Sequence, residues 1–171
     1  MNRPVEAIGA MLAVAFLFAV PAAAQSGLPA PAGEVILTVS GDITNMNQGD
    51  TAAFDLEILE SLPSTTFTTT TIWTEGGQEF TGVELGDLLA AIGAEGGTLV
   101  AVAVNDYQIE IPVSDAVENG PIVAYLRNGE PMSVRDKGPL WVVYPFDDNA
   151  DYRTEVIYSR SIWQLERIEV R

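Results

Sequence analysis

Few residue types in this sequence could do chemistry, because its 171 residues include no histidine and no cysteine. Without cysteine there is no disulfide, no thiolate nucleophile and no cysteine-ligated metal. Without histidine, the Ser-His-Asp relay and nearly all zinc and copper sites are excluded as well. Carboxylate, hydroxyl, lysine and arginine chemistry remain, together with binding that involves no chemistry.

Positive charge is confined to the C-terminal part of the chain. Residues 25–126 contain no Lys or Arg, and all later cations lie beyond Leu126. They either pair with carboxylates across the folded domain or converge on one anion-binding pocket. The candidates that we select for such a pocket are Arg127, Lys137, Arg153 and Arg160.

Aromatic residues offer a second kind of site. Their flat rings could line a pocket for a planar or sugar-like ligand, or they could pack in the core with their polar tips hydrogen-bonded. Trp73 and Tyr144 lie near predicted strand ends, where pockets tend to form, whereas Tyr158 and Trp163 lie in a less predictable stretch. The candidates that we select are Trp73, Tyr107, Trp141 and Tyr144.

A calcium loop is suggested by one short pattern. Asp147, Asn149 and Asp151 have the spacing that opens such a loop, but its sixth and twelfth positions hold Tyr152 and Tyr158 in place of Gly and Glu. We therefore interpret this stretch as an acidic surface loop, and we predict no metal site.

The elements that must position these residues are short, and they indicate an α+β fold with a compact mixed β-sheet. An amphipathic helix is predicted over 85–92, ended by Gly93, and a brief helix follows Asp55 as N-cap. Ser114 or Asp115 is expected to cap a helical turn, and 152–163 is expected to be a loop with a helical turn. Alternation and β-branched residues predict strands over 35–39, 52–54, 65–73, 99–104, 108–113, 122–126, 140–144 and 165–170.

The first 24 residues have the form of a signal peptide. Arg3 precedes an apolar run over 8–20, and an Ala-x-Ala site ends at Ala24. We expect residues 25–33 to be a flexible leader, residues 34–171 to be one domain, and the mature protein to be periplasmic and not bound to a membrane. The formal net charge of -16 and the pI near 4.1 argue against nucleic acid and anionic membrane surfaces as partners.

Several short motifs occur in a fixed order along the chain. They are FTGVELGDLL at 80–89, NDY at 105–107, IPV at 111–113, AY at 124–125, NGEPM at 128–132, GPLWVVYP at 138–145, IW at 162–163 and RIEV at 167–170. This series resembles the oxidoreductase molybdopterin-binding domain family, which has the fold of sulfite oxidase. The resemblance implies a compact α+β domain and, in catalytic members, a molybdenum–pterin cofactor that transfers oxygen atoms.

The chain departs from this family pattern at three places. Catalytic members hold molybdenum through a cysteine before the aromatic-Thr-Gly-Val segment, where residues 68–74 of this chain read TTTTIWT. A common His-Gly pair and an Arg around Gly-Pro-Leu are replaced by Asp136-Lys137 and Trp141, and a Lys before the final Trp is replaced by Ile162. Thr is a poor substitute for the thiolate that tunes such a centre.

Two functions therefore stay open. The first is an exported accessory domain without redox chemistry, which binds a small anionic or polar ligand or a periplasmic protein partner. The second is an oxidoreductase that holds molybdopterin without a cysteine ligand, with the four selected cations on its phosphate. The cofactor stays unassigned, because the resemblance implies molybdopterin and the missing cysteine argues against it.

Overall fold

Two β-sheets form the frame of the protein in the computed structural model, which describes residues 27–171. One sheet has the order β2-β1-β10-β5-β6, and the other has the order β3-β4-β7-β8 with β9 paired to β7. The strands are β1 Leu37–Gly41, β2 Ala52–Phe54, β3 Ser64–Thr70, β4 Gly77–Glu84, β5 Thr98–Ala103, β6 Gln108–Pro112, β7 Ile122–Arg127, β8 Glu130–Pro131, β9 Trp141–Val143 and β10 Leu165–Val170.

Short helices connect or cover these strands: α1 Leu56–Ser61, α2 Leu85–Ile92 and α3 Glu155–Arg160. Leu85, Leu88, Leu89 and Ile92 of α2 are buried, and Gly93 ends the helix with a φ of 60°. The helix has the bounds that its sequence pattern predicts, and the α+β fold class is confirmed. No helix within residues 27–171 is long and apolar enough to cross a membrane.

The first sheet joins the two ends of the described chain. β1 pairs in parallel with β10, with Thr38 opposite Arg167, and β10 pairs in antiparallel fashion with β5. Leu37 and Val39 turn their side chains into the core because alternate residues of a strand face opposite sides. Strands β1, β10 and β5 thus lie side by side, and the loops that follow β5 and precede β10 extend from the same end of this sheet.

The second sheet contains a strand that we did not predict from the sequence. β4 lies between β3 and β7, and its register with β7 shifts between Thr81 and Gly82. A Cβ at Gly82 would lie 2.2 Å from the carbonyl oxygen of Val123. Glycine at this position therefore permits the close approach of β4 to β7.

Asp55 caps α1 as predicted, and it also holds the preceding segment. Its carboxylate accepts hydrogen bonds from the backbone N–H groups of Ile58 at 2.9 Å and of Ala32 and Gly33 at 2.8 Å each. Asn47 adds a side-chain hydrogen bond to the carbonyl of Pro29. The part of the expected leader from 27 to 33 thus has no helix or strand, but its backbone is attached to the domain at several points.

Two expected local features differ from the structure. The strand predicted to reach Trp73 ends at Thr70, and a turn follows it. The helical turn predicted after Ser114 or Asp115 begins earlier, as a 3-10 helix over Val113–Asp115 that follows Pro112 and lacks a side-chain cap. Asp115 is instead used in long-range hydrogen bonds. The proposed signal peptide over residues 1–24 lies outside the described residues.

Candidate functional site

A cavity of about 420 Å³ opens at one end of the first sheet. Its wall comes from the β3–β4 turn, the β5–β6 turn, α3 and the segment between α3 and β10. The lining residues are Trp73, Ala103, Asn105, Tyr107, Tyr158, Ser159, Ser161, Ile162, Trp163 and Gln164. Four of these ten residues are aromatic, so the cavity is aromatic-lined with a few polar groups, as small-molecule sites usually are.

Trp73 is the centre of the aromatic wall. Its ring centroid lies 5.2 Å from that of Trp163 and 5.8 Å from that of Tyr158, with interplanar angles of 72° and 84°. Behind it lies Trp141, with centroids 5.9 Å apart. Edge-to-face contacts of this kind stabilise the arrangement beyond simple burial, by about 0.5–1.5 kcal/mol per pair. The rings therefore form a fixed wall.

Several polar groups of the lining are already engaged. The hydroxyls of Ser159 and Ser161 each donate to a backbone carbonyl at 2.6 Å, and the amide of Gln164 donates to the carbonyl of Val134 at 2.6 Å. Asn105 Oδ1 accepts from the backbone N–H of Tyr107 at 3.2 Å. Of the ten lining residues found within 27–171, none carries a charge.

The backbone beside the cavity is strained at three non-glycine residues. Asp106, Lys137 and Gln164 have φ values of 62°, 73° and 54°. The segments are linked, because Gln164 donates its N–H to the carbonyl of Lys137 at 3.0 Å and accepts from the N–H of Val104 at 2.9 Å. A left-handed conformation costs an L-residue roughly 1–2 kcal/mol. Such strain persists where surrounding contacts enforce it, and it clusters at functional sites.

The four selected cations do not meet in one pocket. Arg127 pairs with Asp136 at 2.8 Å, and Arg160 pairs with Asp115 at 2.9 Å. Lys137 differs from them, because its ammonium stacks on an aromatic ring.

The third selected arginine is held mainly by backbone groups. Arg153 donates to the carbonyls of Phe146 and Asp147, at 2.7 and 3.1 Å, and its guanidinium lies 3.6 Å from the Asp147 carboxylate. The three arginines are therefore engaged with three separate acidic residues.

The four selected aromatic residues divide into two groups. Trp73 and Tyr107 line the cavity. Trp141 and Tyr144 are fully buried beneath it: Trp141 Nε1 donates to the Ser161 carbonyl at 3.1 Å, and Tyr144 donates to Asp115 at 2.8 Å. Burial, and next the hydrogen bond to Asp115, raise the pKa of Tyr144 well above its usual value. Its phenol thus stays a hydrogen-bond donor.

Lys137 contacts the aromatic wall without lining the cavity. Its ammonium lies 4.2 Å from the centroid of the Trp163 ring and 5.6 Å from that of Trp141. This is a cation–π contact, within the 6 Å over which the ring quadrupole attracts a cation.

The acidic loop that suggests calcium is organised differently. Asp147 accepts from the hydroxyl of Thr70 at 2.7 Å and from its backbone N–H at 2.6 Å, and these bonds lower the pKa of the carboxyl. Asn149 accepts from the N–H of Asp151. Within the described part of the chain, no three Asp or Glu side chains cluster in a way that could hold a metal.

One mixed and one antiparallel sheet with short helices, and a cavity at the end of the mixed sheet, define an α+β domain of the sulfite oxidase type. The family model of the oxidoreductase molybdopterin binding domain matches residues 37–147, and the chain belongs to this family. No curated protein matches the sequence.

The residues at the family's molybdenum position do not fit a thiolate-ligated cofactor. The hydroxyl of Thr69 is buried and accepts from the N–H of Asp147 at 3.1 Å, and those of Thr71 and Thr74 bond to one another at 2.8 Å. The backbone N–H of Trp73, which lines the cavity, donates to the Thr71 hydroxyl at 3.1 Å. A pterin phosphate would also need unpaired cations, whereas the three selected arginines are engaged with carboxylates, and of the four selected cations only Lys137 has no acidic partner in the described part of the chain. We therefore derive no step through molybdopterin.

Two lining residues, Tyr158 and Trp163, are among the aromatic residues considered from the sequence but not among those selected. Three others, Asn105, Ser159 and Gln164, were not predicted as site residues. Asn105 and Tyr107 share one turn, so the motif that contains them was a usable signal. The segment from 152 to 164 gave no clear periodicity, and only its mixture of aromatic and polar residues marked it.

Proposed function

We propose that this protein is an exported member of the family that binds a small ligand in the aromatic cavity and does no redox chemistry. The observation that carries the proposal is the pairing of two features. The cavity has a wall of four aromatic residues, and the segment where catalytic members have their metal ligand holds only five threonines, Ile72 and Trp73. In this proposal the domain serves as a periplasmic sensing or accessory component.

Strain at the cavity supports a ligand-binding role. Lys137 and Gln164 are neither glycine nor asparagine, yet both adopt left-handed conformations beside it. A fold under selection for stability alone would favour glycine at such positions. Retained strain is expected where a precise loop geometry serves binding.

Export is supported by the sequence of residues 1–24, and its test is direct. The full chain is produced in a molybdenum-replete bacterial host, the periplasmic fraction is collected, and the N-terminus of the purified protein is determined. We expect a mature chain that begins at Gln25. Recovery of uncleaved protein in the cytoplasm would contradict export.

The absence of redox chemistry is tested on the same sample. Molybdenum is measured by mass spectrometry and pterin by fluorescence after oxidation, with a cysteine-containing family member from the same host as the loaded control. We expect far less than one molybdenum per chain in this protein and near one in the control. Stoichiometric molybdenum and pterin would overturn the proposal in favour of an oxidoreductase without a cysteine ligand.

A further inference from the structure

We propose that the ligand is a small organic cation that carries a methylated ammonium group. This inference rests on the proposed ligand-binding function and adds the chemical class of the ligand. The first observation is the orientation of the rings. Trp73 stands at 72° to Trp163 and at 84° to Tyr158, and Tyr107 closes the wall from the β5–β6 turn. These rings are steeply inclined to Trp73, in contrast to a parallel stack, and all four line the same cavity.

A wall of aromatic rings favours a cation for an electrostatic reason. The face of each ring carries partial negative charge, and Trp attracts a cation more strongly than Tyr or Phe. Methyl groups on the ammonium spread its charge and reduce its hydration, so it loses little on leaving water. Two Trp and two Tyr side chains provide four such surfaces in this cavity.

The protein itself places a cation on this wall. The ammonium of Lys137 lies 4.2 Å from the centroid of the Trp163 ring, yet Lys137 does not line the cavity. The indole of Trp163 therefore already accommodates an ammonium group from outside the cavity.

The net charge of the whole chain also favours a cationic ligand. The formal net charge is -16. Of the seven Lys and Arg residues between 27 and 171, five lie within 4.0 Å of a carboxylate. A negative field of this kind raises the local concentration of cations and lowers that of anions.

The polar groups of the lining disfavour the other ligand classes. An anion would need a charged donor, and no lining residue in the described part of the chain is charged. A sugar would need several free polar partners, whereas two of the lining hydroxyls, those of Ser159 and Ser161, already donate to backbone carbonyls at 2.6 Å.

The test compares a methylated ammonium ion with a neutral molecule of the same shape, and with an anion and a sugar. Choline, its neutral isostere 3,3-dimethyl-1-butanol, benzoate and glucose are titrated into the purified mature protein by isothermal calorimetry. We expect saturable binding of choline at least about tenfold tighter than that of the neutral isostere. Equal affinity for the two, preference for benzoate or glucose, or no binding of choline would overturn the inference. None of these outcomes bears on molybdenum content, which tests the proposed function separately.

Two variants predict the direction in which the affinity for choline should change. Lys137→Gln removes a positive charge from beside the wall, so a bound cation should bind about two- to fivefold more tightly, whereas an anion would bind more weakly. Trp163→Phe keeps an apolar ring with a weaker quadrupole. It should weaken choline binding about fivefold and leave the weak binding of the neutral isostere within about twofold. Equal losses for both ligands in Trp163→Phe would indicate lost packing and contradict a cation site.

Discussion

The phenol of Tyr144 donates a hydrogen bond of 2.8 Å to the carboxylate of Asp115, although the two residues are 29 positions apart. Tyr144 follows β9 and is fully buried, and Asp115 ends the 3-10 helix after β6. The same carboxylate accepts from Arg160 at the end of α3. Because α3 carries Tyr158 and Ser159, this pair of hydrogen bonds fixes one wall of the cavity to the core.

We predict that Tyr144→Phe lowers the free energy of unfolding by about 2 kcal/mol, since a hydrogen bond to a charged acceptor is lost inside the protein. Urea denaturation of the purified protein measures the change. Tyr107→Phe is the matched control, because Tyr107 is 51% exposed, and it should change stability by less than about 0.5 kcal/mol. Equal effects of the two substitutions would show that the Tyr144 hydroxyl contributes nothing specific.

Arg160→Met should also destabilise the fold by about 2 kcal/mol. The side chains of Arg160 and Asp115 are only 23% and 14% exposed, so the substitution leaves a largely buried carboxylate without its cation. The pair of Arg171 and Glu169 is 57% and 46% exposed, and Arg171→Met should therefore cost less than about 1 kcal/mol. Thermal unfolding of both variants measures the two losses of stability. A larger loss for Arg171→Met than for Arg160→Met would contradict the ranking of the two ion pairs by burial.

The hydrogen bonds to the carboxylate of Asp55 predict that the stability of the protein depends on pH. The hydrogen bond from Gly33 is the largest of the backbone contacts that lower the pKa of Asp55 below its usual 3.8. A carboxyl with a lowered folded pKa contributes stability above its unfolded pKa and loses that contribution as the pH falls through the folded value. Asp55→Asn should thus be less stable than the original protein at pH 7, with the difference shrinking below about pH 4.

Asn is a suitable replacement because it remains a good N-cap, so the charge is the main change. Unfolding curves from pH 2 to 8 measure the effect. Hydrogen exchange at Ala32 and Gly33 should become faster in the variant. Asp50→Asn, in an exposed turn, is the control. A stability difference that is constant over the whole pH range would rule out the charge of Asp55 as its source.

Gly82→Ala should destabilise the protein by about 3 kcal/mol, because the new methyl group would meet the carbonyl of Val123 at 2.2 Å and force β4 away from β7. Gly97→Ala adds the same atom where nothing lies within 4 Å, and it should leave stability within about 1 kcal/mol of the original. Chemical denaturation of both variants tests this contrast. Similar losses would mean that loss of glycine itself, and not the close approach, is responsible.

The sequence predicted elements whose cause is local. The apolar stripe of α2 and the left-handed Gly93 are encoded within nine residues, and Asp55 caps α1 through bonds to its own helix. β4 could not be predicted in this way, since two glycines and an irregular polar pattern hide a strand that is defined by its partners on both sides.

The site was less predictable than the fold for the same reason. Trp73 and Trp163 meet only after both sheets have formed, and nothing near Arg160 in the sequence indicates that its partner is Asp115. Composition could show that cations and aromatic residues were available. It could not show which cations would be neutralised by carboxylates and which ring would lie against Lys137.

The parallel pairing of β1 with β10 has a consequence for the order of events in folding. Thr38 pairs with Arg167, so the first strand of the described chain can pair with β2 early but gains its second partner only when the last strand is present. Contacts between residues so far apart in the sequence are slow to form, because the entropy of closing a large loop is lost before the contacts contribute any stability. A chain that is still emerging from a ribosome lacks β10 and cannot complete this sheet. Delayed closure of this kind suits the export that we propose, because a chain must be unfolded while it is threaded across a membrane.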